Sequence, residues 1–211
     1  MVPTAPLHLR RRTESDCETI VSWVDNATDL YLLSGPRYRR NMDIPSIRVR
    51  PAELSDADGI ADVHVQSWRE TYSGVIPDRF MGADALAARK RMWGSILSRD
   101  PLPGAIAVAE RRGQVVGFAF AAPSDHPDAT KGVTPARDLN LYSIYLLAHE
   151  HDAGIGSSLL DAVLENHPAQ LWVLSGNQRA RAFYERHGFR EDGSEFVDPD
   201  LNGIVEIRMV R

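Results

Sequence analysis

The chain has 211 residues, 43% hydrophobic and 25% charged, the balance of a soluble globular protein with an ordinary core. A net charge of −5 provides no diffuse basic surface and argues against nucleic acid as a partner. One cysteine, Cys17, excludes an intrachain disulfide. With no apolar leader core near the start and no membrane-length apolar run, no membrane association and a cytoplasmic setting are expected.

In chain order, residues 1–46 are the unusual part. Leu7-His8-Leu9-Arg10, Ser15-Asp16 and Ile20 recur forty residues later as Ile47-Arg48-Val49-Arg50, Ser55-Asp56 and Ile60. Each copy reads as a strand, a Ser N-cap and a helix opening on acidic residues. Either the first strand and helix of one fold occur twice, the first copy truncated, or two independent strand–cap–helix starts coincide. Gly35 to Pro45 reads as the linker. The expected organisation is an N-terminal extension over 1–46, which offers a sheet edge or a homodimer contact, and a main domain over 47–211.

In the main domain, Ile60, Val63, Val65 and Trp68 predict a helix over 56–68, broken later at Gly74 and Pro77, and a second helix spans 78–98. Ala105–Ala109 and Val115–Ala121 are strands joined at Arg112-Gly113. Residues 122–137 form a polar loop of lid length, in which His126 is read as solvated rather than catalytic. Leu141 to Ala148 reads as a buried strand. After it, Gly154-Ile155-Gly156 opens an amphipathic helix through Leu159, Leu160, Val163 and Leu164. A glycine-punctuated helix start lets a ligand approach the backbone, and its unpaired N–H groups favour a phosphate. A dinucleotide fingerprint would need glycine at Leu159, and a phosphate loop would need Gly-Lys-Ser/Thr. His149, His151 and Asp152 lack the further ligands of a metal site, so no metal is expected.

A strand over 170–174 follows, then Asn177 as an N-cap and a helix through Phe183-Tyr184-Glu185 closed by Gly188. Two final strands are expected over 189–197 and 203–210. The run Asn177-x-x-Ala180-x-x-Phe183-Tyr184-Glu185-x-x-Gly188-Phe189, together with Gly154-Ile155-Gly156, resembles the GNAT superfamily of acyl-CoA-dependent N-acetyltransferases over residues 47–211.

The resemblance implies an α/β fold, a mixed, mostly antiparallel, splayed sheet with helices on both faces. It implies acetyl-CoA as cosubstrate and direct acetyl transfer to a small-molecule amine or an amino-terminal group. Pyrophosphate would rest on amides around His151, Asp152, Ala153, Gly154, Ile155, Gly156 and Ser157. The pantetheine arm would run beside Tyr145, Leu146 and Leu147, with the Leu146 N–H facing the thioester oxygen. Phe183 would border the cofactor. Asn177 would bond the arm, unless it is spent capping its own helix. Trp68, Tyr72 and Tyr142 would line the acceptor site, or pack as core.

Tyr184 is the expected general acid: a phenol of pKa about 10 is protonated at neutral pH and can serve a thiolate whose acid has pKa about 8.5. The competing reading is an aromatic packed on a helix face. No base is legible: relatives use positions matching Asn140 and Tyr142, and Asp138, Glu70 or water remain. Ala148 and Asp152 depart from the family's proline and glycine, and His151 from its Gln or Arg. An Asp152 carboxylate either repels pyrophosphate or faces solvent. That departure, with the unread base, keeps a non-catalytic acyl-CoA-binding or sensor module as the alternative.

Overall fold

The computed structural model describes residues 47–151, 153–199, 201 and 203–211. The extension, Cys17, the linker and Asp152 lie outside them.

Seven strands form one sheet in the order β1-β2-β3-β4-β5-β7-β6. These are β1 (Arg48–Pro51), β2 (Ala105–Arg111), β3 (Gln114–Pro123), β4 (Leu139–Leu146), β5 (Gln170–Leu174), β6 (Arg190–Asp198) and β7 (Ile204–Val210). The turn joining β2 to β3 puts Arg112 and Gly113 at φ 53° and 78°, the twist a two-residue hairpin requires. Every neighbouring pair is antiparallel except β4 and β5, which meet in parallel at Asn140 and Gln170 and diverge beyond. The mixed, splayed, mostly antiparallel sheet expected from the sequence is therefore present.

Helices cover both faces. On one lie α1 (Ala57–Tyr72) and α2 (Ala83–Leu97), bringing Ile60, Trp68 and Trp93 against Phe118 and Tyr145. On the other, α4 (Ile155–Leu164) and α5 (Gln178–Arg186) bring Leu159, Leu160, Phe183 and Tyr184 against Ile144 and Leu146. Alternation along β4 thus sends Tyr145 to one core and Leu146 to the other.

Three boundaries differ from the sequence reading. Helix α1 continues to Tyr72, because buried positions keep a four-residue spacing at Ile60, His64, Trp68 and Tyr72. The 78–98 helix is a one-turn 3₁₀ helix, Asp78–Phe80, then α2, with Gly82 as the extended N-cap between them. Strand β4 stops at Leu146, since Ala148–Glu150 winds into a 3₁₀ turn.

The 122–137 segment is not a loose lid. It contains the short helix α3 (Pro127–Thr130) and is tied to the sheet. Trp172 Nε1 donates to the Ala129 carbonyl at 2.8 Å, and Arg208 Nη1 to that of Thr134 at 2.7 Å. Beneath it Lys131 pairs with Glu206, both buried.

Candidate active site

The phosphate turn is built from four anchors. Gly154 caps α4 at φ 72°, and a Cβ there would meet no atom within 4 Å. The amide-to-carbonyl ladder of α4 starts with Ser158 N–H donating to Gly154 O at 3.1 Å, so the amides of Ile155, Gly156 and Ser157 precede it. Arg111 donates to buried Glu150 Oε2 through Nε at 3.0 Å and Nη2 at 2.7 Å. Glu70 accepts the Ala148 N–H at 3.0 Å, and its other oxygen takes Gln66. This carboxylate, weighed as a base, is engaged in holding the loop.

His151 is the fourth anchor. A carbonyl can only accept, so Nε2–H donates to Leu146 O at 3.1 Å, leaving Nδ1 to accept from the Arg179 guanidinium. The ring therefore ties the turn to β4 and α5. Arg179 is a cation beside the turn that the sequence reading did not single out. Across the same groove His187 Nδ1–H donates to Phe183 O at 2.8 Å, and its Nε2 accepts from Ser157 Oγ at 3.0 Å. Phe183 is buried with its ring 4.2 Å from that of His187.

The opening between β4 and β5 collects the other predicted groups. Leu147 N–H donates to Val116 O on β3 at 3.0 Å. Backbone groups alternate sides along a strand, so the Leu146 N–H points away from β3, into the opening. Gly117 lets the strands approach there. A Cβ on it would stand 2.7 Å from Leu146 Cδ1 and 2.9 Å from Tyr145 O. Gly117→Ala is expected to cost about 1–3 kcal/mol by overpacking and to weaken coenzyme A binding, measured by thermal melting and calorimetry. Unchanged melting and affinity would show that β4 yields at no cost.

Asn177 Oδ1 accepts from Ala180 N at 3.0 Å, so capping is realised, and its side chain also bonds Tyr72. Burial, then the Tyr145 hydroxyl, holds the Tyr72 phenol well above its ordinary value; Tyr184 and Glu206 push the same way and the Asn177 bond opposes. Tyr72 thus stays protonated where side chains of α1, β4, α5 and β7 converge. Tyr184 is fully buried, 5.4 Å ring to ring from Phe183 and 5.6 Å from Phe189.

Two cavities flank this point. One of about 450 Å³ is lined by Tyr72, Leu174, Asn177 and Arg179. The other, about 400 Å³, lies between α1, α2, β3, β4 and the segment after β3, with Trp93, Phe120, Tyr142 and Tyr145 among its walls. Tyr72 and Tyr142 therefore face different cavities. Trp68 is fully buried and donates its indole N–H to Tyr145 Oη at 3.0 Å, so it positions Tyr145. Tyr142 is the extra residue of a bulge in β4 and donates to Pro123 O at 2.6 Å. Burial, then Asp128 and Asp125, raises its phenol well above the ordinary value. Asn140 is buried beside Gln170 Nε2 at 3.4 Å, and Asp138 lines a separate recess with His167. Among the described residues no group of three or more His, Cys, Asp or Glu is placed to hold a metal. No helix there is long and apolar enough to cross a membrane.

A family model described as an acetyltransferase (GNAT) domain matches residues 103–191. An N-acetyltransferase of Mycobacterium tuberculosis H37Rv, named as uncharacterized, is 31% identical over 151 residues, covering 67% of this chain and 87% of that relative. The chain belongs to the GNAT family of N-acetyltransferases. A second protein of that strain, named as a probable N-acetyltransferase, is 27% identical over 165 residues, 75% of this chain and 88% of the relative. The fold matches a PaiA N-acetyltransferase of Thermoplasma acidophilum in complex with coenzyme A. There the TM-score is 0.56 at 18% identity, over 77% of this chain and 98% of that one. This GNAT protein is an acetyl-CoA-dependent acyltransferase that acts on amines.

Proposed function

We propose that the chain acetylates a small-molecule amine by direct transfer across the gap between β4 and β5. What supports this reading is the Leu147 N–H bonded to Val116 O on β3, which turns the Leu146 N–H toward that gap, close to the α4 amide turn. Amides from Ala153 to Ser157 hold the pyrophosphate, with Arg179 adding charge beside His151. Tyr145, Leu146 and Leu147 align the pantetheine arm, and Asn177, which caps α5 and bonds Tyr72, borders its far side.

The amine enters from the α1–α2 face, where Tyr145 forms a wall. Its nitrogen bonds to the carbonyl carbon while the Leu146 N–H stabilises charge on the oxygen. The C–S bond breaks, and Tyr184 supplies the proton the sulfur needs. Tyr72 and Tyr142 are held protonated and Asn140 carries no titratable group, so the amine's proton is assigned to water at the cavity mouth. A cavity of about 400 Å³ walled by side chains suits a small molecule better than a folded protein's terminus.

Thiol release from acetyl-CoA with an amine panel tests the proposal. Amine-dependent release supports it, and coenzyme A binding without release makes the protein an acyl-CoA sensor. Gly154→Ala places a Cβ at φ 72° for about 1–2 kcal/mol of strain, which the free turn escapes by relaxing, so coenzyme A affinity is expected to fall by up to about tenfold. For residues 1–46 the proposed role is a homodimer contact. Deleting 1–40 should halve the mass in solution, and an unchanged mass would reject it.

A further inference from the structure

The 400 Å³ cavity carries polar groups that the reaction does not use. His64, 4% exposed, stacks on Tyr145 with ring centroids 4.9 Å apart. The Trp93 indole N–H can only donate, so His64 Nδ1 accepts it at 3.3 Å and Nε2 carries the ring proton. Burial, then the nearby Arg89 charge, keeps this imidazole neutral. No protein group among the described residues takes the Nε2–H, and none takes the hydroxyl of Ser143, also 4% exposed and lining the cavity. Both donors open onto the cavity, where a ligand or water can meet them.

The charge on the walls is negative on one side. Asp125 and Asp128 line the cavity where the segment leaves β3, and both act on the Tyr142 hydroxyl. Asp128 is nearly buried, with His126 Nδ1 at 3.4 Å from Oδ2. Arg99 stands exposed on the far rim. Trp93, Phe120, Tyr142 and Tyr145 make the rest of the wall aromatic, with Phe120 stacked on Tyr142, and aromatic rings attract cations. Carboxylates and aromatic faces in one partly closed space form a receptor for an ammonium group.

We infer that the acceptor is a small amine carrying a second positive charge, held between Asp125, Asp128 and the aromatic wall while the first amine reaches Tyr145. This rests on the acetyl-transfer reading of the same site and names its substrate class. His64 and Ser143 hydrogen-bond the polar part of the acceptor between its two ends. Among the described residues lining the cavity there is no lysine, and the lining guanidinium, Arg99, stands exposed at the rim.

The test is thiol release from acetyl-CoA with straight-chain α,ω-diamines of three to eight carbons. The matching monoamines and a neutral tripeptide with a free amino terminus serve as controls. At the best length the diamine should exceed its monoamine at least tenfold in kcat/KM, through KM. Asp128→Asn and, separately, exposed Asp125→Asn should shrink that ratio severalfold while coenzyme A affinity, measured by calorimetry, shows each variant folded. Equal rates for diamines and monoamines, a preference for the tripeptide, or a ratio untouched in both variants would overturn the inference and leave acetyl transfer standing. Release with no amine at all would overturn the acetyl-transfer reading itself.

Discussion

Tyr184→Phe is expected to lower turnover about 10²–10⁴-fold while leaving coenzyme A affinity close to that of the parent. The substitution removes one oxygen from a ring that is fully buried among Phe183, Phe189 and the α4 face, so the packing survives. What goes is the proposed proton donor. Without it the sulfur departs as a thiolate with no placed donor, which raises the barrier in proportion to the lost hydrogen bond. Two measurements separate this from a packing defect. Melting should shift little, and the loss should shrink for an acyl donor whose leaving thiol is more acidic. Turnover equal to the parent's would remove Tyr184 from the chemistry and leave it as a core aromatic.

The second large effect concerns the ion pair under α3. Lys131 and Glu206 are 1% and 0% exposed, and the lysine also stands over the Trp172 and Phe196 rings. Burial raises Glu206 to about 7 in spite of Lys131, and burial lowers Lys131 in turn. Lys131→Met leaves a buried carboxyl without its cation, so stability should fall by about 3–5 kcal/mol. The double variant Lys131→Met with Glu206→Leu removes both charges and should recover most of that loss, as a denaturant titration of the cycle would show. A double variant no better than the single one would mean that the loss comes from packing alone.

The pH dependence follows with a defined sign. The folded Glu206 lies above its ordinary value of 4.5, so the folded state binds the extra proton between about 4.5 and about 7. Stability contributed by this group is present at the acid end of that window and is lost as pH rises through it. Because Lys131 is the left-handed cap of α3 and Asp128 belongs to the same short helix, loosening the pair should also raise the acceptor KM. The pair fixes the segment that frames the proposed acceptor cavity.

Much of this arrangement was legible in the sequence, where local rules decide it. Gly154 announced a turn that only a residue tolerant of positive φ makes cheaply, and Asn177 announced a cap; both stand there. The strand–turn–helix order around them, with Phe183-Tyr184 and Gly188, carried the family resemblance. The strands 170–174, 190–198 and 204–210 fall within a residue or so of their expected bounds because period-two patterning and flanking turn residues mark them.

What escaped was set by contacts between distant parts of the chain. Glu70 reads as an exposed helix carboxylate until β4 brings Ala148 N–H to it, 78 residues later. His151 reads as a substitute phosphate ligand until Arg179 closes on its second nitrogen. Trp68 and Tyr72 sit on the same helix face, four residues apart. Yet one is sealed behind Tyr145 and the other lines the cavity that Asn177 and Arg179 border, a difference set by contacts with β4 and α5. His64 carried one local signal, a polar residue between Val63 and Val65 on the face that also bears Ile60 and Trp68. Polar groups at a buried helix position need a partner, and its partner is on α2.

Calorimetric titration of coenzyme A into the full chain bears most directly on the whole scheme. One site per chain with a micromolar dissociation constant is the result it requires, and heat absent up to millimolar ligand would contradict it.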